Sequence, residues 1–352
     1  MKKLEELKPL NLSDISDFDE MLTAMSKTSF GGRCLGEASN VLYQMYSKPS
    51  FRVLTISGAM TIAKMSLIIS EMIERNLVDI IVTTGALITH SLTEAMGLSH
   101  YKCDMKTVND SELYEKGYNR IYDSLESDRS EEVWNEILID AIRSFIENCS
   151  SYNLADKYFH MGSKDITFYL GKCLDGSSNR SILKSAYNCG VPIYIPAFTD
   201  SELCLQLKPI NNLRKRNGLP ELRYDGMFDL DDYTFEIMSS VNKNIPLGIF
   251  TIGGGVPRNW AQQVGPYLDT INREKKLEGQ SYAKPAFKYG VRICPDLPNY
   301  GHLSGCTYSE GQSWGKFCSD KKGAMLAEVM CDATLVWPLL MKGVFQRLDK
   351  NK

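Results

Sequence analysis

One lysine of the chain has neighbours that could make it reactive. Lys316 lies in the segment SEGQSWGKFC, residues 309–318, two positions after Trp314. A solvated lysine titrates near ~10.4, but contact with an aromatic ring removes water and favours the neutral amine. A neutral lysine is a nucleophile that can form an imine with a substrate. The alternative is a surface lysine whose stem lies along the tryptophan while its ammonium group reaches water, and this decapeptide alone does not decide between the two.

A second group of residues suits the binding of a nucleotide. Small or acidic residues follow six apolar runs: Ser57-Gly58-Ala59, Thr83-Thr84-Gly85, Thr199-Asp200, Gly253-Gly254-Gly255, Pro295-Asp296 and Cys331-Asp332-Ala333. Glycine and small hydroxyl residues let backbone N–H groups approach a phosphate, and acidic residues can accept from ribose hydroxyls. The sequence has no standard GxGxxG motif, and the run TIGGGV is also explained by a tight turn. Together the six positions predict a nucleotide site.

The histidines give a weaker indication. His90, in GALITHSL, follows the second apolar run and therefore falls near the expected ligand edge, although a lone histidine is commonly structural. His100, His160 and His302 have no carboxylate or cysteine at a metal-ligand spacing. The sequence therefore predicts no metal site.

The elements that must position these residues are apolar runs separated by amphipathic stretches. The runs cover residues 52–58, 77–85, 191–200, 245–255, 287–296 and 327–340. In the stretch 59–76, helical spacing places five residues on one face: Met60, Ala63, Leu67, Met72 and Ile73. Continuous apolar strands alternating with helices indicate a parallel sheet that is covered on both faces. We therefore predict a doubly wound, mostly parallel, Rossmann-like α/β sheet, whose ligands bind beyond the carboxyl ends of the strands.

The organisation along the chain indicates one large domain. Residues 1–50 are predicted to form a helical N-terminal extension and residues 51–352 a single nucleotide-binding catalytic domain. Residues 102–180 are more polar, and we expect them to be a mostly helical insertion or flanking helices.

Composition excludes several classes of function. The chain has 352 residues, of which 43% are hydrophobic and 24% charged, and a net charge of −3, with no Lys/Arg-rich block. Nucleic-acid binding is therefore not expected, and no apolar run approaches the ~20 residues of a membrane span. The ten cysteines are scattered without a CxxC pair, which is typical of reduced thiols in a cytoplasmic protein.

Several segments, taken in order, resemble the deoxyhypusine synthases. These segments are NLVDIIVTTG, IPAFTDSEL, IGGGV, SEGQSWGK and CDATLVWPLL. The resemblance covers roughly residues 28–348. It implies an enzyme that uses NAD to oxidise spermidine, captures the aminobutyl part as an imine on a lysine and releases 1,3-diaminopropane. A second amine then takes the group: a lysine of a translation initiation factor in the synthase proper, or putrescine in the branch that makes homospermidine.

The resemblance also implies roles for particular residues. Lys316 matches the lysine that forms the imine, and Glu310 and Trp314 match the amine pocket. The amine-binding positions further include Gly301, Leu303, Ser304, His90 and Asn259. The expected cofactor contacts are Gly58, Ala59, Thr83, Thr84, Gly85, Asp200, Gly254, Gly255, Asp296, Asp332 and Ala333.

The chain departs from the eukaryotic pattern mainly in the amine pocket. Thr89-His90 replace a pair of glutamates, and Asn259 replaces a histidine. Leu205 and Leu303 replace two aspartates. Because a polyamine carries several positive charges, each lost carboxylate weakens its binding. The pattern is closer to the prokaryotic deoxyhypusine synthase-like branch.

Three interpretations stay open from the sequence. The chain could transfer an aminobutyl group to a protein lysine or to a small diamine. It could be a non-catalytic NAD-binding homologue, or an ordinary dehydrogenase in which Lys316 is structural. The resemblance implies a homotetramer.

Overall fold

The computed structural model describes residues 4–149, 158–275 and 282–351. The strands are β1 (Phe51–Ile56), β2 (Ile80–Thr83), β3 (Tyr101–Lys102), β4 (Tyr118–Ile121), β5 (Ser124–Ser127), β6 (Tyr158–Met161), β7 (Ile193–Tyr194), β8 (Glu221–Tyr224), β9 (Leu247–Ile252), β10 (Phe287–Ile293) and β11 (Met325–Val329). The helices are α1 (Phe18–Met25), α2 (Phe30–Ser47), α3 (Ser66–Glu74), α4 (Gly85–Ala95), α5 (Asp110–Glu115), α6 (Arg129–Asn148), α7 (Ser163–Cys173), α8 (Ile182–Cys189), α9 (Glu202–Arg216), α10 (Gly226–Asn242), α11 (Gly255–Gln262), α12 (Val264–Lys275), α13 (Tyr308–Ser313) and α14 (Ala333–Lys350).

The chain forms two compact units. Unit 1 contains the described residues up to Ser57, together with Leu77–Val82 and the described part of Asp232–Lys352. Unit 2 contains Gly58–Asn76 and the described part of Thr83–Asp231. The boundary expected at residue 50 stays a prediction.

Unit 1 contains a parallel sheet in the strand order β11-β10-β9-β1-β2. Ile56 pairs with Ile252, Ile252 with Ile293, and Ile293 with Val329, so four neighbouring strands end at one level. Every residue of β9 is buried, as expected for a central strand whose two faces are covered. The residues that follow these four strands therefore lie along one edge, as predicted.

The N-terminal helices cover part of this sheet. Helices α1, α2 and α14 pack on one another, and α2 also packs on β10 and β11. Met45 of α2 lies where a side chain at Gly248 of β9 would stand, with its sulfur 2.4 Å from that Cβ position. Close packing of this kind fixes the sheet that carries the site.

Unit 2 contains two small sheets. Strands β3, β5 and β4 form an antiparallel sheet, and β6 pairs in parallel with β8. Helix α4 begins immediately after β2, with Thr84 as its N-cap. Gly85 has no room for a side chain, because its Cβ would stand 2.0 Å from Cβ of Ser201.

The predicted α/β class is confirmed, with corrections in detail. A strand forms in each of the six predicted runs, although the run 191–200 contains only the two residues of β7. The prediction of a mostly helical segment at residues 102–180 missed β4, β5 and β6, and residues 150–157 of it lie outside the described residues. Helix α3 begins at Ser66 because Lys64 has a left-handed φ of 62°, and Leu67 is 51% exposed instead of facing the core.

Candidate active site

The turn at the end of α13 positions Lys316. Trp314 is the C-cap, and Gly315 follows with a left-handed φ of 72°. The N–H of Lys316 donates to the carbonyl of Gly311 at 3.0 Å, and that of Gly315 donates to Gln312 at 2.9 Å. This is the Schellman pattern, which requires glycine where φ is positive. The sequence Trp-Gly-Lys is therefore a helix end that projects a lysine.

The chain on the other side of Lys316 is held by β10. The N–H of Phe287 donates to the carbonyl of Lys316 at 3.0 Å, and the N–H of Cys318 donates back to Phe287 at 2.9 Å. Gly311 leaves room for the ring of Phe317, which would lie 2.8 Å from a Cβ at that position. The backbone of Lys316 is thus fixed on both sides.

The side chain of Lys316 enters a pocket of about 440 Å³ in unit 1. The pocket is formed by α11, the connection between β10 and α13 (residues 294–307) and α13. We call this connection the pocket loop and the cavity the lysine pocket. Its lining residues are Gly255, Val256, Arg258, Asn259, Gln262, Gln263, His302, Leu303, Cys306, Glu310, Gly311, Trp314 and Lys316.

Several sequence predictions meet in this pocket. Lys316, Glu310, Trp314, Leu303, Asn259 and Gly255 all line it, and Gly301 and Ser304 lie on the pocket loop. Nζ of Lys316 donates to Oδ1 of Asn259 at 3.0 Å, although the two residues are 57 positions apart in the chain. The roles of these residues in binding stay predictions.

The surroundings of Lys316 favour its neutral form. Burial lowers the pKa of Lys316, and the guanidinium of Arg258 lowers that pKa further, whereas Cys306 and Glu310 oppose the shift. Trp314 lines the pocket but is 61% exposed, so it lies at the side of the pocket and does not shield Lys316 from solvent. Glu310 is the one carboxylate among the lining residues of the described chain.

Two buried arginines, which the sequence reasoning missed, hold the pocket loop. Arg258 and Arg292 are 5% and 4% exposed. Each donates to the carbonyls of Ser304 and Cys306, at 3.2 and 2.6 Å. Arg292 also lies 3.3 Å from the carboxylate of Glu328. The sequence contained a signal for both residues. Arg292 lies inside the apolar run of β10, and Arg258 lies three residues after Gly255. A charge that is buried in such a position needs polar partners.

The pocket loop carries a strained apolar residue. Leu303 has a left-handed φ of 61° and is 60% exposed. A leucine in this conformation is uncommon, and strain of this kind is concentrated at functional sites. It stands where the eukaryotic pattern has an aspartate.

The strand ends of unit 1 form a glycine-lined edge. Gly253 and Gly255 have positive φ of 80° and 66°, and the hydroxyl of Ser57 donates to the carbonyl of Gly254. A Cβ on Gly254 would lie 2.9 Å from the carbonyl oxygen of Ser304. Asp296 follows β10, and Asp332 caps α14 by accepting from the N–H of Thr334 at 2.9 Å, with Ala333 as the first helical residue.

The remaining predicted cofactor residues lie in unit 2. The hydroxyl of Thr84 donates to the carbonyl of Gly58 at 3.2 Å, and Ala59 follows Gly58 in the chain. Thr83 is the buried last residue of β2, and Gly85 opens α4. Asp200 ends a turn of 3₁₀-helix at Phe198–Asp200. Their contact with a cofactor stays a prediction.

His90, predicted in the amine site, also lies in unit 2. Its Nδ1 is 2.7 Å from Oε2 of Glu126, a partner 36 residues away that the sequence did not indicate. Thr89 donates to the carbonyl of Gly85 at 3.0 Å. Leu205, which stands where the eukaryotic pattern has an aspartate, is 64% exposed.

Comparison with known proteins identifies relatives of this chain. The deoxyhypusine synthase family model matches residues 20–344. "Probable deoxyhypusine synthase 2" of Methanosarcina acetivorans is 32% identical over 337 residues, covering 95% of this chain and 88% of the relative. The protein of the same name from Archaeoglobus fulgidus is 32% identical and covers 91% and 95% of the two chains. The "Deoxyhypusine synthase-like protein" of Chlorobaculum tepidum is 29% identical and covers 91% and 84%.

The fold is also found among solved structures. A crystal structure from Entamoeba histolytica, named for the deoxyhypusine synthases, has a TM-score of 0.58 and 16% identity, with 97% of each chain covered. At this identity the likeness concerns the fold alone.

The fold and the site define an α/β protein that carries a lysine pocket beside the strand ends of a parallel sheet. With the family model matched over residues 20–344 and relatives at 32% identity, the chain belongs to the deoxyhypusine synthase family. Among the described helices, none has the length and apolar character to cross a bilayer.

Proposed function

We propose that the chain is an NAD-dependent transferase that moves an aminobutyl group from spermidine or a related polyamine to an acceptor amine. The observation that supports this most directly is the state of Lys316. Its pKa is lowered by burial and by Arg258, and its Nζ is held by Asn259 at 3.0 Å. Imine formation requires a neutral amine, and a lowered pKa makes that form more accessible.

The residues divide the work by their chemistry. Once the donor carbon has been oxidised, the neutral amine of Lys316 attacks it, the bond to the leaving amine breaks, and 1,3-diaminopropane takes up the proton and departs. Oδ1 of Asn259 accepts an N–H of Lys316 and so directs the lone pair. Glu310 binds an ammonium group of the substrate through a charge-assisted hydrogen bond, and the face of Trp314 attracts the same kind of group. The acceptor amine then displaces Lys316, which regains its free amine.

The glycine-lined edge of unit 1 fits a dinucleotide. Gly255 is exposed and is the first residue of α11, with Gly254 as the N-cap, and the N-terminus of a helix favours an anionic phosphate. We assign Gly254, Gly255 and the carboxylate of Asp332 to NAD, with Oδ1 of Asp332 already engaged at Thr334 and Oδ2 assigned to a ribose hydroxyl. NAD, when bound, takes up and later returns the two electrons of the amine oxidation.

A carboxylate in that place selects against a 2′-phosphate, because like charges repel. We therefore expect NAD to bind more tightly than NADP in calorimetry. Equal or tighter binding of NADP would contradict the assignment of Asp332.

The identity of the acceptor amine distinguishes the two versions of this proposal, which are transfer to a protein lysine and transfer to a small diamine. The purified protein is incubated with NAD, spermidine and putrescine, and the products are examined by mass spectrometry. Release of 1,3-diaminopropane is the expected result. Homospermidine among the products identifies a small-diamine acceptor, whereas release that depends on an added translation factor identifies a protein lysine.

Two outcomes would contradict the proposal. Binding of NAD without any diamine release would leave a non-catalytic homologue. Accumulation of reduced cofactor with no diamine released would leave a dehydrogenase in which Lys316 is structural. The homotetramer that the resemblance implies is tested separately by light scattering, where a mass near the 39.7 kDa of one chain would count against it.

A further inference from the structure

Three side chains that the proposed reaction does not use meet in unit 2. His90 lies on α4, His100 directly precedes β3, and Glu126 lies in β5. One ligand atom of each lies within 4.8 Å of the others. We call these three residues the histidine–glutamate cluster. No sequence pattern indicates this cluster, because the three residues are separated by 10 and 26 positions.

The cluster is largely shielded from solvent. The side chains of His90, His100 and Glu126 are 15%, 2% and 9% exposed. Oε2 of Glu126 lies 2.7 Å from Nδ1 of His90, and Oε1 accepts from the hydroxyl of Thr93. A buried carboxylate between two imidazoles is costly unless its charge is compensated.

One atom of the cluster is not accounted for by hydrogen bonding. Nε2 of His100 is buried and makes no hydrogen bond within the described chain. The nearest carboxylate oxygen, Oε1 of Glu126, is 3.6 Å away. Buried polar nitrogens are almost always paired, so this nitrogen points to a ligand between His100 and Glu126.

We propose that His90, His100 and Glu126 bind a divalent transition-metal ion of the zinc type. The ligand atoms are Nδ1 of His90, Nε2 of His100 and a carboxylate oxygen of Glu126. Two histidines and one glutamate are a well-known zinc ligand set, with a water in the fourth position. The ion replaces the protons that the two ring nitrogens would otherwise share with Glu126, and its charge compensates the buried carboxylate. This proposal departs from the sequence-based prediction of no metal site, which stays a prediction.

Lys64 is the neighbour that opposes the ion. Its Nζ lies 2.7 Å from Nδ1 of His100 and 2.8 Å from Oε1 of Glu94. As a donor to Nδ1 it keeps the proton of His100 on Nε2, the nitrogen that the metal needs. Its side chain is 52% exposed, so it can withdraw to solvent. Nδ1 of His100 can then carry the proton, and metal-bound histidines commonly donate their other N–H to a carboxylate, a carbonyl or water.

The geometry indicates what the ion would do. It would join α4, the segment before β3, and β5, and so tie the small antiparallel sheet to a helix of unit 2. The antiparallel strands are only two and four residues long, and short sheets of this kind need additional support. The role we infer is structural.

The test uses the full-length protein, reduced and stripped of metal with a chelator, with no NAD or polyamine present. Zinc binding is measured by calorimetry, and cobalt is used as a spectroscopic probe. We expect one ion per chain, visible cobalt bands without the charge-transfer bands of thiolate ligands, and a melting temperature raised by about 5 °C at saturation.

Variants decide which residues bind the ion. His90→Ala, His100→Ala and Glu126→Gln should each weaken binding by about 100-fold or more. The matched control is His160→Ala, which removes a histidine of β6 and should leave binding unchanged. Lys64→Met should tighten binding severalfold, because it removes the competing donor. This substitution is on the surface, so it tests the site even if a buried variant fails to fold.

Several results would overturn the inference. These are the lack of a bound ion at micromolar zinc, unchanged affinity in all three ligand variants, or thiolate bands that show cysteine ligation instead. The cluster would then be a hydrogen-bonded network that contains a histidine with an unsatisfied nitrogen. Lys316→Arg should bind metal like the parent chain, so failure of the transferase proposal leaves this one intact.

Discussion

The lysine pocket destabilises the charged form of its central residue, whereas the histidine–glutamate cluster stabilises it. In the pocket, burial and the nearby Arg258 lower the pKa of Lys316, and the compensating Glu310 is exposed. In the cluster, burial alone would raise the pKa of Glu126, but the imidazoles of His100 and His90 and the hydroxyl of Thr93 outweigh it and lower that pKa. One site leaves a cation without full compensation, and the other surrounds an anion with donors.

The difference separates a reactive site from a supporting one. A group whose charged form is destabilised is ready to react as a neutral nucleophile. A group whose charged form is stabilised holds its neighbours in place. If this distinction is right, substitutions in the pocket should change catalysis more than folding.

The largest effect is expected from Lys316→Arg. A guanidinium remains protonated at any usable pH and cannot form the imine, so we expect transfer to fall by at least about three orders of magnitude. Borohydride added during turnover of the parent protein should fix an aminobutyl mass on Lys316. Lys321→Arg and Lys322→Arg are the controls, because both residues lie in an exposed turn after Cys318. Full activity in Lys316→Arg, or an aminobutyl mass on Lys321 or Lys322, would contradict the mechanism.

Glu310→Gln should produce the next largest effect. The loss of one charge-assisted hydrogen bond costs about 1.5–3 kcal/mol, which raises KM for the amine by about 10- to 150-fold. Trp314→Ala removes a cation–π contact of about 0.5–2 kcal/mol and should act in the same direction more weakly. Steady-state kinetics with varied amine, beside calorimetry with NAD, measure both effects. Normal amine kinetics in both variants would show that the pocket has been placed wrongly.

Arg258→Met should change the pH dependence of the reaction. Arg258 lowers the pKa of Lys316, so its removal raises that pKa, and less of the amine is neutral at a given pH. The rising limb of kcat/KM against pH should therefore move to higher pH, with a loss of less than about tenfold at neutral pH. Arg292 donates to the same two carbonyls and should keep the pocket loop in place.

Arg258→Lys is the matched control for that measurement, because it keeps the positive charge. Its limb should stay close to that of the parent protein. An unmoved limb in Arg258→Met would mean that burial alone accounts for the lowered pKa of Lys316.

The smallest effect is expected from Leu303→Asp. The substitution adds a carboxylate at an exposed position of the pocket and replaces leucine with a residue that tolerates a left-handed φ better. An exposed ion pair is worth about 0.2–1 kcal/mol, so KM for spermidine should fall by a factor of about 1.4 to 5. Leu303→Asn shares the backbone tolerance without the charge and separates the two contributions. An unchanged KM in Leu303→Asp would remove this position from the amine-binding set.

The sequence predicted the main sheet and the lysine but not their supports. Long apolar runs such as β9 are buried on both faces and are visible without any partner. Strands β4 and β5 are short and contain polar residues, so no periodic pattern indicates them. The pairing of His90 with Glu126 depends on a contact between residues 36 positions apart. Arg258 of α11 and Arg292 of β10 both donate to the pocket loop, so these hydrogen bonds join three separate elements. Supports of this kind are products of the fold and cannot be read from spacing.

The contact between Gly254 and Ser304 has a thermodynamic consequence. The glycine turn assigned to NAD touches the pocket loop with no room for a Cβ between them, and Arg258, on the helix that follows the turn, holds two carbonyls of that loop. Anything that orders one of these segments restricts the other. Cofactor and amine should therefore bind cooperatively, and linkage requires each to raise the affinity of the other by the same factor.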